Sequence, residues 1–68
     1  MRHVSVQGRK LPIVMAKDSH SEMEIIIVSG WNDVTPFVVW RLNQNGTVVS
    51  GDYCTKLEHA LDCFYSRK

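Results

Sequence analysis

Histidine, cysteine and carboxylate side chains are where chemistry would start, and few of them fall into useful patterns here. His59 and Cys63 stand four residues apart in a segment of helical periodicity, a spacing that sets both on one side of a helix and can bind a metal. A zinc centre wants four ligands, or three and a water. Cys54 falls on another side of the same segment, and His3 and His20 lie far away in sequence. The plainer reading, two flanking helix residues, is preferred, and neither a metal nor any other cofactor is expected. Cys54, near the start of that segment, is the better candidate nucleophile, because the positive end of a helix dipole favours a thiolate. A nucleophile also needs a base, and the sequence places no histidine beside it, so a small buried apolar side chain is the preferred reading. The carboxylate pairs Glu22/Glu24 and Glu58/Asp62 come with no cleft signal, and the second pair would repel mildly on a solvated helix face. There is no Gly-rich phosphate loop and no dinucleotide fingerprint. Too few polar groups converge for catalysis, so no catalytic residue is assigned and the chain is not expected to be an enzyme.

A loop offers more. Gly30-Trp31-Asn32-Asp33 puts a tryptophan at a turn. Trp31 either folds back to cap a small core or meets a partner, since Trp and Tyr are enriched among the residues that dominate binding energy. The basic residues Arg2, Arg9, Lys10 and Lys17 gather in the N-terminal part and with Trp31 would suit a nucleic-acid surface. Against that, Asp18, Glu22 and Glu24 follow at once, and no aromatic-basic interleaving of an RNA-binding motif is present. The net charge of +1 gives little long-range pull toward nucleic acid or anionic lipid.

These residues must be held by a small frame. The 68 residues make one domain, and chains below about 70–80 residues usually need a staple such as a disulfide, a metal or a second copy. If the helix runs from Asp52 to Arg67, Cys54 and Cys63 point to roughly opposite faces, about 13 Å apart along its axis. A disulfide needs Cα atoms within about 7 Å, so no internal disulfide is expected, in keeping with a reducing compartment. The apolar run Leu11 to Ala16 is short for a signal core. No run approaches the roughly 20 apolar residues of a membrane span. A cytoplasmic protein without a membrane partner is the expectation, and Asn45-Gly46-Thr47 is then a turn rather than a glycosylation site.

The pattern predicts an α+β fold: an antiparallel sheet of about three to five strands with one C-terminal helix on one face. Val4 to Ala16 reads as a hairpin turning at Gly8-Arg9, with Val6 opposite Leu11 and Val4 opposite Ile13. Lys17 to Glu22 reads as a polar loop, so residues 1–22 are either an integral hairpin or a separable arm on a core of residues 23–68. Met23 to Ser29 and Phe37 to Leu42 read as strands. Asn45-Gly46, taken as a two-residue turn, sets Leu42 opposite Val49 and Trp40 opposite Gly51, which leaves room for the indole. Thr55 and Glu58 fit a capping box, with Asp52 an alternative cap, and Tyr53, Leu57, Ala60, Leu61 and Phe64 form the helix stripe. Arg67 and Lys68 suit the negative end of the helix dipole.

In this register Val38, Trp40, Leu42 and Val49 share the face that seats the helix. Phe37, Val39, Arg41, Val48 and Ser50 share the other. On the neighbouring strand both parities, Met23, Ile25, Ile27 and Glu24, Ile26, Val28, are largely apolar. A sheet wet on one side should alternate, so the second face is expected to be covered by the N-terminal hairpin, by a second copy of the chain, or by a different protein. The functional expectation is a small non-enzymatic protein-binding module, an inhibitor or adaptor, acting alone or as a homodimer. It would work through the apolar sheet face and the Trp31 loop, with Trp31, Asn32, Asp33, Phe37, Val39, Arg41 and Val48 as contact residues. The alternative is a small nucleic-acid-binding domain using the basic hairpin. In scale the chain is like many accessory proteins of bacteria and phages that act by binding another macromolecule.

Overall fold

A computed structural model of the chain describes residues 1–20 and 22–68; Ser21, in the polar connection after the N-terminal hairpin, lies outside the described residues. Among the described residues the order is β1 (His3–Val6), β2 (Arg9–Asp18), β3 (Glu24–Val28), β4 (Phe37–Leu42), β5 (Val48–Cys54) and α1 (Leu57–Ser66). The strands form one curled antiparallel sheet in the order β1-β2-β3-β4-β5. This is the α+β arrangement of hairpins and C-terminal helix that the residue pattern predicts.

The β-branched run at the centre is buried on both faces. Ile25, Ile26, Ile27 and Val28 have no exposed surface, so each parity of β3 seeds its own core. Ile26 and Val28 pair with Trp40 and Val38 and pack with Val4, Leu11 and Ile13 of the N-terminal hairpin. Ile25 and Ile27 join Val39, Cys54, Ala60 and Phe64, with Met15, Phe37, Leu61 and Cys63 packed against them. The hairpin therefore covers the Trp40 face, and α1 covers the Val39 face. This reverses the expected seating of the helix on Val38, Trp40 and Leu42. Ile26 and Val28 lie on the Trp40 face, and Val39 lies under the helix. Val4, Leu11 and Ile13 of the hairpin are themselves buried in that core.

Two bulges make the double cover possible. In β2, residues 9–12 pair with β1 and residues 13–18 with β3, and the register jumps between Ile13 and Met15. Val14 is the extra residue and is exposed. A bulge bends its strand, and here it also switches parity: Leu11 and Ile13 enter one core while Met15 enters the other. Lys17 and Asp18, expected in a loop, extend this strand.

In β5, Leu42 pairs with Val48 and Arg41 with Val49, yet Val39 pairs with Asp52. Ser50 (φ +56°) and Gly51 thus stand together opposite Trp40. The bulge turns Cys54, paired with Phe37, onto the Val39 side, and the helix that follows lies on that side. The Ser50 carbonyl, freed from the ladder, accepts from the guanidinium of Arg67, which also meets the Asp52 carboxylate at 2.6 Å. Arg67 is thus spent on β5. Lys17 instead serves the C-terminal end of the helix, donating from Nζ to the Arg67 carbonyl at 2.9 Å.

Turn chemistry explains the shifted registers. Gln7 and Gly8 both take positive φ, as a type I′ turn requires, so Val6 pairs with Arg9 and Val4 with Leu11, each partner two residues from the expected one. At the other hairpin Asn43 N donates to Thr47 O at 2.8 Å and Gly46 takes φ +92°. This is a three-residue loop, with the Asn45 side chain accepting from Thr47 N and Oγ1. Leu42 consequently meets Val48 rather than Val49, and Val48 joins the Trp40 cluster. The β5 bulge then restores the expected proximity of Gly51 and Trp40.

The helix begins later than predicted. Asp52, Tyr53 and Cys54 are strand residues, Lys56 is the N-cap, and no side chain caps it. The Thr55–Glu58 capping box does not form, because Thr55 lies one residue before the cap. Tyr53 and Leu57 leave the stripe, and Ala60 and Phe64 carry the burial.

Two outcomes test this packing. Phe64→Ala should cost about 3–5 kcal/mol, while Leu57→Ala, at a side chain 42% exposed, should change the melting temperature little; equal losses would contradict the assigned helix face. Gly51→Ala puts a Cβ 2.6 Å from Trp40 Nε1 and 3.0 Å from Tyr53 Cε1, and should cost about 1–3 kcal/mol in a urea titration.

Candidate functional site

The connection between β3 and β4 is organised by one side chain. Asn32 Oδ1 accepts from Val34 N, Thr35 N and Thr35 Oγ1 at 3.0, 2.6 and 3.1 Å, an Asx-type turn. Trp31 N donates to Pro36 O at 3.1 Å. The closed loop lays the Trp31 indole edge-on against Trp40, with ring centres 5.2 Å apart and planes at 90°. Tyr53, carried to this face by the β5 bulge, lies 6.1 Å from both rings. Arg9, at the tip of the first hairpin, donates to the carbonyls of Gly30 and Trp31 and rests 5.3 Å from the Trp31 ring centre.

The first hairpin, the β3–β4 connection, β4 and β5 thus converge on one aromatic cluster. Trp40 is its buried floor, Trp31 is half-buried, and Tyr53 keeps 52% of its surface and Arg9 is exposed. Val34, in the same loop, is 76% exposed. Trp31 therefore packs on the core and stays partly exposed.

The expected contact residues separate across the molecule. Trp31 lies in this cluster, Asn32 and Asp33 are exposed beside it, and Val48 is half-buried on the same side of the sheet. Phe37 and Arg41 are half-buried on the helix side, where Arg41 reaches the Lys68 carbonyl at 3.3 Å. Val39 has no exposed surface under the helix, so it cannot touch a partner. Both apolar sheet faces are covered from within the chain, which withdraws the sheet face as a contact surface. Arg9 and Tyr53 were not singled out by spacing as contact residues. By sequence Arg9 is only one of the basic residues of the hairpin, and Tyr53 fits helical periodicity. Gly51, which makes room for Trp40, was the one sequence signal close to Tyr53.

Cys54 and Cys63 lie on the helix side of the sheet, and His59 is carried by α1. His59 is exposed, and among the described residues no group of three or more His, Cys, Asp or Glu side chains could hold a metal. Cys54 ends β5 rather than opening the helix. Burial, together with the neighbouring Cys63 thiol, pushes the Cys54 thiol up from its ordinary value, which disfavours a nucleophilic thiolate at neutral pH. Open clefts of about 420 Å³ beside Glu22, Met23 and Asn43–Asn45 and about 350 Å³ beside Lys17–His20 and Arg67–Lys68 lie away from the aromatic cluster. No helix among the described residues is long and apolar enough to cross a membrane.

Comparison with protein-family models, with curated proteins and with solved structures finds no match for this chain.

The basic residues of the hairpin are dispersed by the fold. Arg2 makes a two-pronged contact with the Glu24 carboxylate at 2.7 and 2.8 Å, Arg9 serves the Trp31 loop, and Lys17 serves the helix end. The hydrogen bond from Arg2, opposed by partial burial and aided by its charge, lowers the Glu24 pKa from the ordinary carboxylate value. The stabilisation this gives is present above the unfolded carboxylate range and is lost as pH falls through the lowered Glu24 pKa. Arg2→Met should therefore melt slightly below wild type at neutral pH, and the gap should close in acid. A gap that persists or widens at low pH would show that the pair is not its source.

Proposed function

We propose that this chain is a non-enzymatic protein-binding module of inhibitor or adaptor type, acting in the cytoplasm, with Arg9, Trp31 and Tyr53 at the centre of its contact surface. The observation that carries this reading is the half-open aromatic pair of Trp31 and Tyr53, set on the buried Trp40 with a guanidinium over one ring. Trp, Tyr and Arg are the residue types that dominate measured interface energies. The cluster is also held in place before any partner arrives, which lowers the ordering cost of binding. The size of the chain suits an accessory protein of the bacterial or phage kind. A homodimer built on a bare sheet face loses its reason, since hairpin and helix fill both faces. A nucleic-acid surface is disfavoured because Arg2, Arg9 and Lys17 are spread along the hairpin and engaged by Glu24 and by backbone carbonyls.

The test compares immobilised wild type with Tyr53→Ala and Arg9→Ala, each first checked for an unchanged melting curve. A protein retained by wild type should fall by about tenfold or more with either variant, as expected for loss of a central contact worth over about 1.4 kcal/mol. Its affinity should depend little on salt. Retention that ignores both substitutions overturns the assigned surface. A nucleic acid bound with a steep logarithmic salt slope overturns the protein-binding reading.

A further inference from the structure

Cys54 and Cys63 are the two cysteines of the chain, and both are free thiols. On one continuous helix they could not meet. The fold removes that obstacle, because β5 ends on Cys54, Thr55 and Lys56 reverse the chain, and α1 lies back on the same side of the sheet. Cys54 belongs to the core cluster of Val39, Ala60 and Phe64, and Cys63 packs against that cluster from the helix. Burial first, and then the neighbouring Cys63 thiol, push the Cys54 thiol up from its ordinary value. Their environments differ in a useful way: Cys63 is partly exposed, whereas Cys54 is buried, with its S–H directed to the Asp52 carbonyl at 3.7 Å. The contact surface proposed above uses neither thiol.

We propose that Cys54 and Cys63 are a redox modification site that closes to an intramolecular disulfide, taking a small disulfide such as oxidised glutathione as the oxidant. Cys63, the accessible thiol, loses its proton and attacks one sulfur of the oxidant. The oxidant's S–S bond breaks, one thiolate leaves and takes up a proton, and a mixed disulfide remains on Cys63. Cys54 then loses its proton and attacks the Cys63 sulfur, and the second small thiol leaves protonated. Two protein thiols are oxidised by two electrons, and one small disulfide is reduced to two thiols. The new bond ties the end of the edge strand to the last part of the helix that covers the Val39 core. It supplies the covalent staple that so short a chain otherwise lacks.

The experiment equilibrates the full chain in glutathione buffers of defined oxidised-to-reduced ratio, quenches with acid, alkylates free thiols and reads the mass. The expected product is a monomer lighter by two hydrogens that takes up no alkyl group. Ring closure should be favoured at least about tenfold more in native buffer than in concentrated guanidinium chloride, as it must be if the bond stabilises the fold. Glutathione adducts without ring closure, or equal closure in folded and unfolded chains, would overturn the proposal.

Discussion

β3 can offer neither face to water, and the rest of the molecule answers to that constraint. Leaving one Ile or Val exposed forgoes roughly 1.5–3 kcal/mol, and Ile25 to Val28 are four in a row with no exposed surface. Together they match a large share of the net stability of a small domain, about 5–15 kcal/mol. One helix can cover only one side of a sheet. The chain must therefore fold its first hairpin over the other side, and the five strands form a curled sheet with two small cores rather than a flat sheet with one.

The bulges at Val14 and at Ser50–Gly51 let one short chain serve both cores. A strand of unbroken alternation sends all its apolar residues to one face. By inserting one residue, β2 gives Leu11 and Ile13 to the hairpin core and Met15 to the helix core. By the same device β5 delivers Tyr53 to the Trp40 side and Cys54 to the helix side. The aromatic surface and the thiol pair are thus two products of one local irregularity. The Ser50 carbonyl it frees is met by Arg67 from the helix end, and Lys17 in turn covers the Arg67 carbonyl there.

Electrostatics plays a fastening role. Arg2, Arg9, Lys17 and Arg67 each join segments remote in sequence. These contacts are mostly at the surface, where ion pairs contribute little to stability, but they define how the hairpin and the helix end lie on the sheet. The Arg9 contact has a second consequence. It holds the Trp31 loop closed over the aromatic cluster, so a surface suited to recognition arises from residues whose first task is to finish a core.

The sequence by itself determined the α+β class, the three central strands, the C-terminal helix and the double burial of β3. Each follows from local composition and periodicity: a β-branched run, a Gly in the turns at Gly8 and Gly46, Ala60 and Phe64 four apart. Read in order, the same residues misplaced the helix start, the hairpin registers and the face on which the helix lies. Those errors share a physical cause. A bulge carries no periodic signal of its own, and slipping one residue exchanges the two faces of a strand. Asn45-Gly46 is equally compatible with a two-residue or a three-residue loop until the Asn45 side chain finds Thr47. Whether Cys54 and Cys63 are far apart or in contact depends on where a strand gives way to a helix, and only the packing of Cys54 against Phe64 and Ala60 decided that.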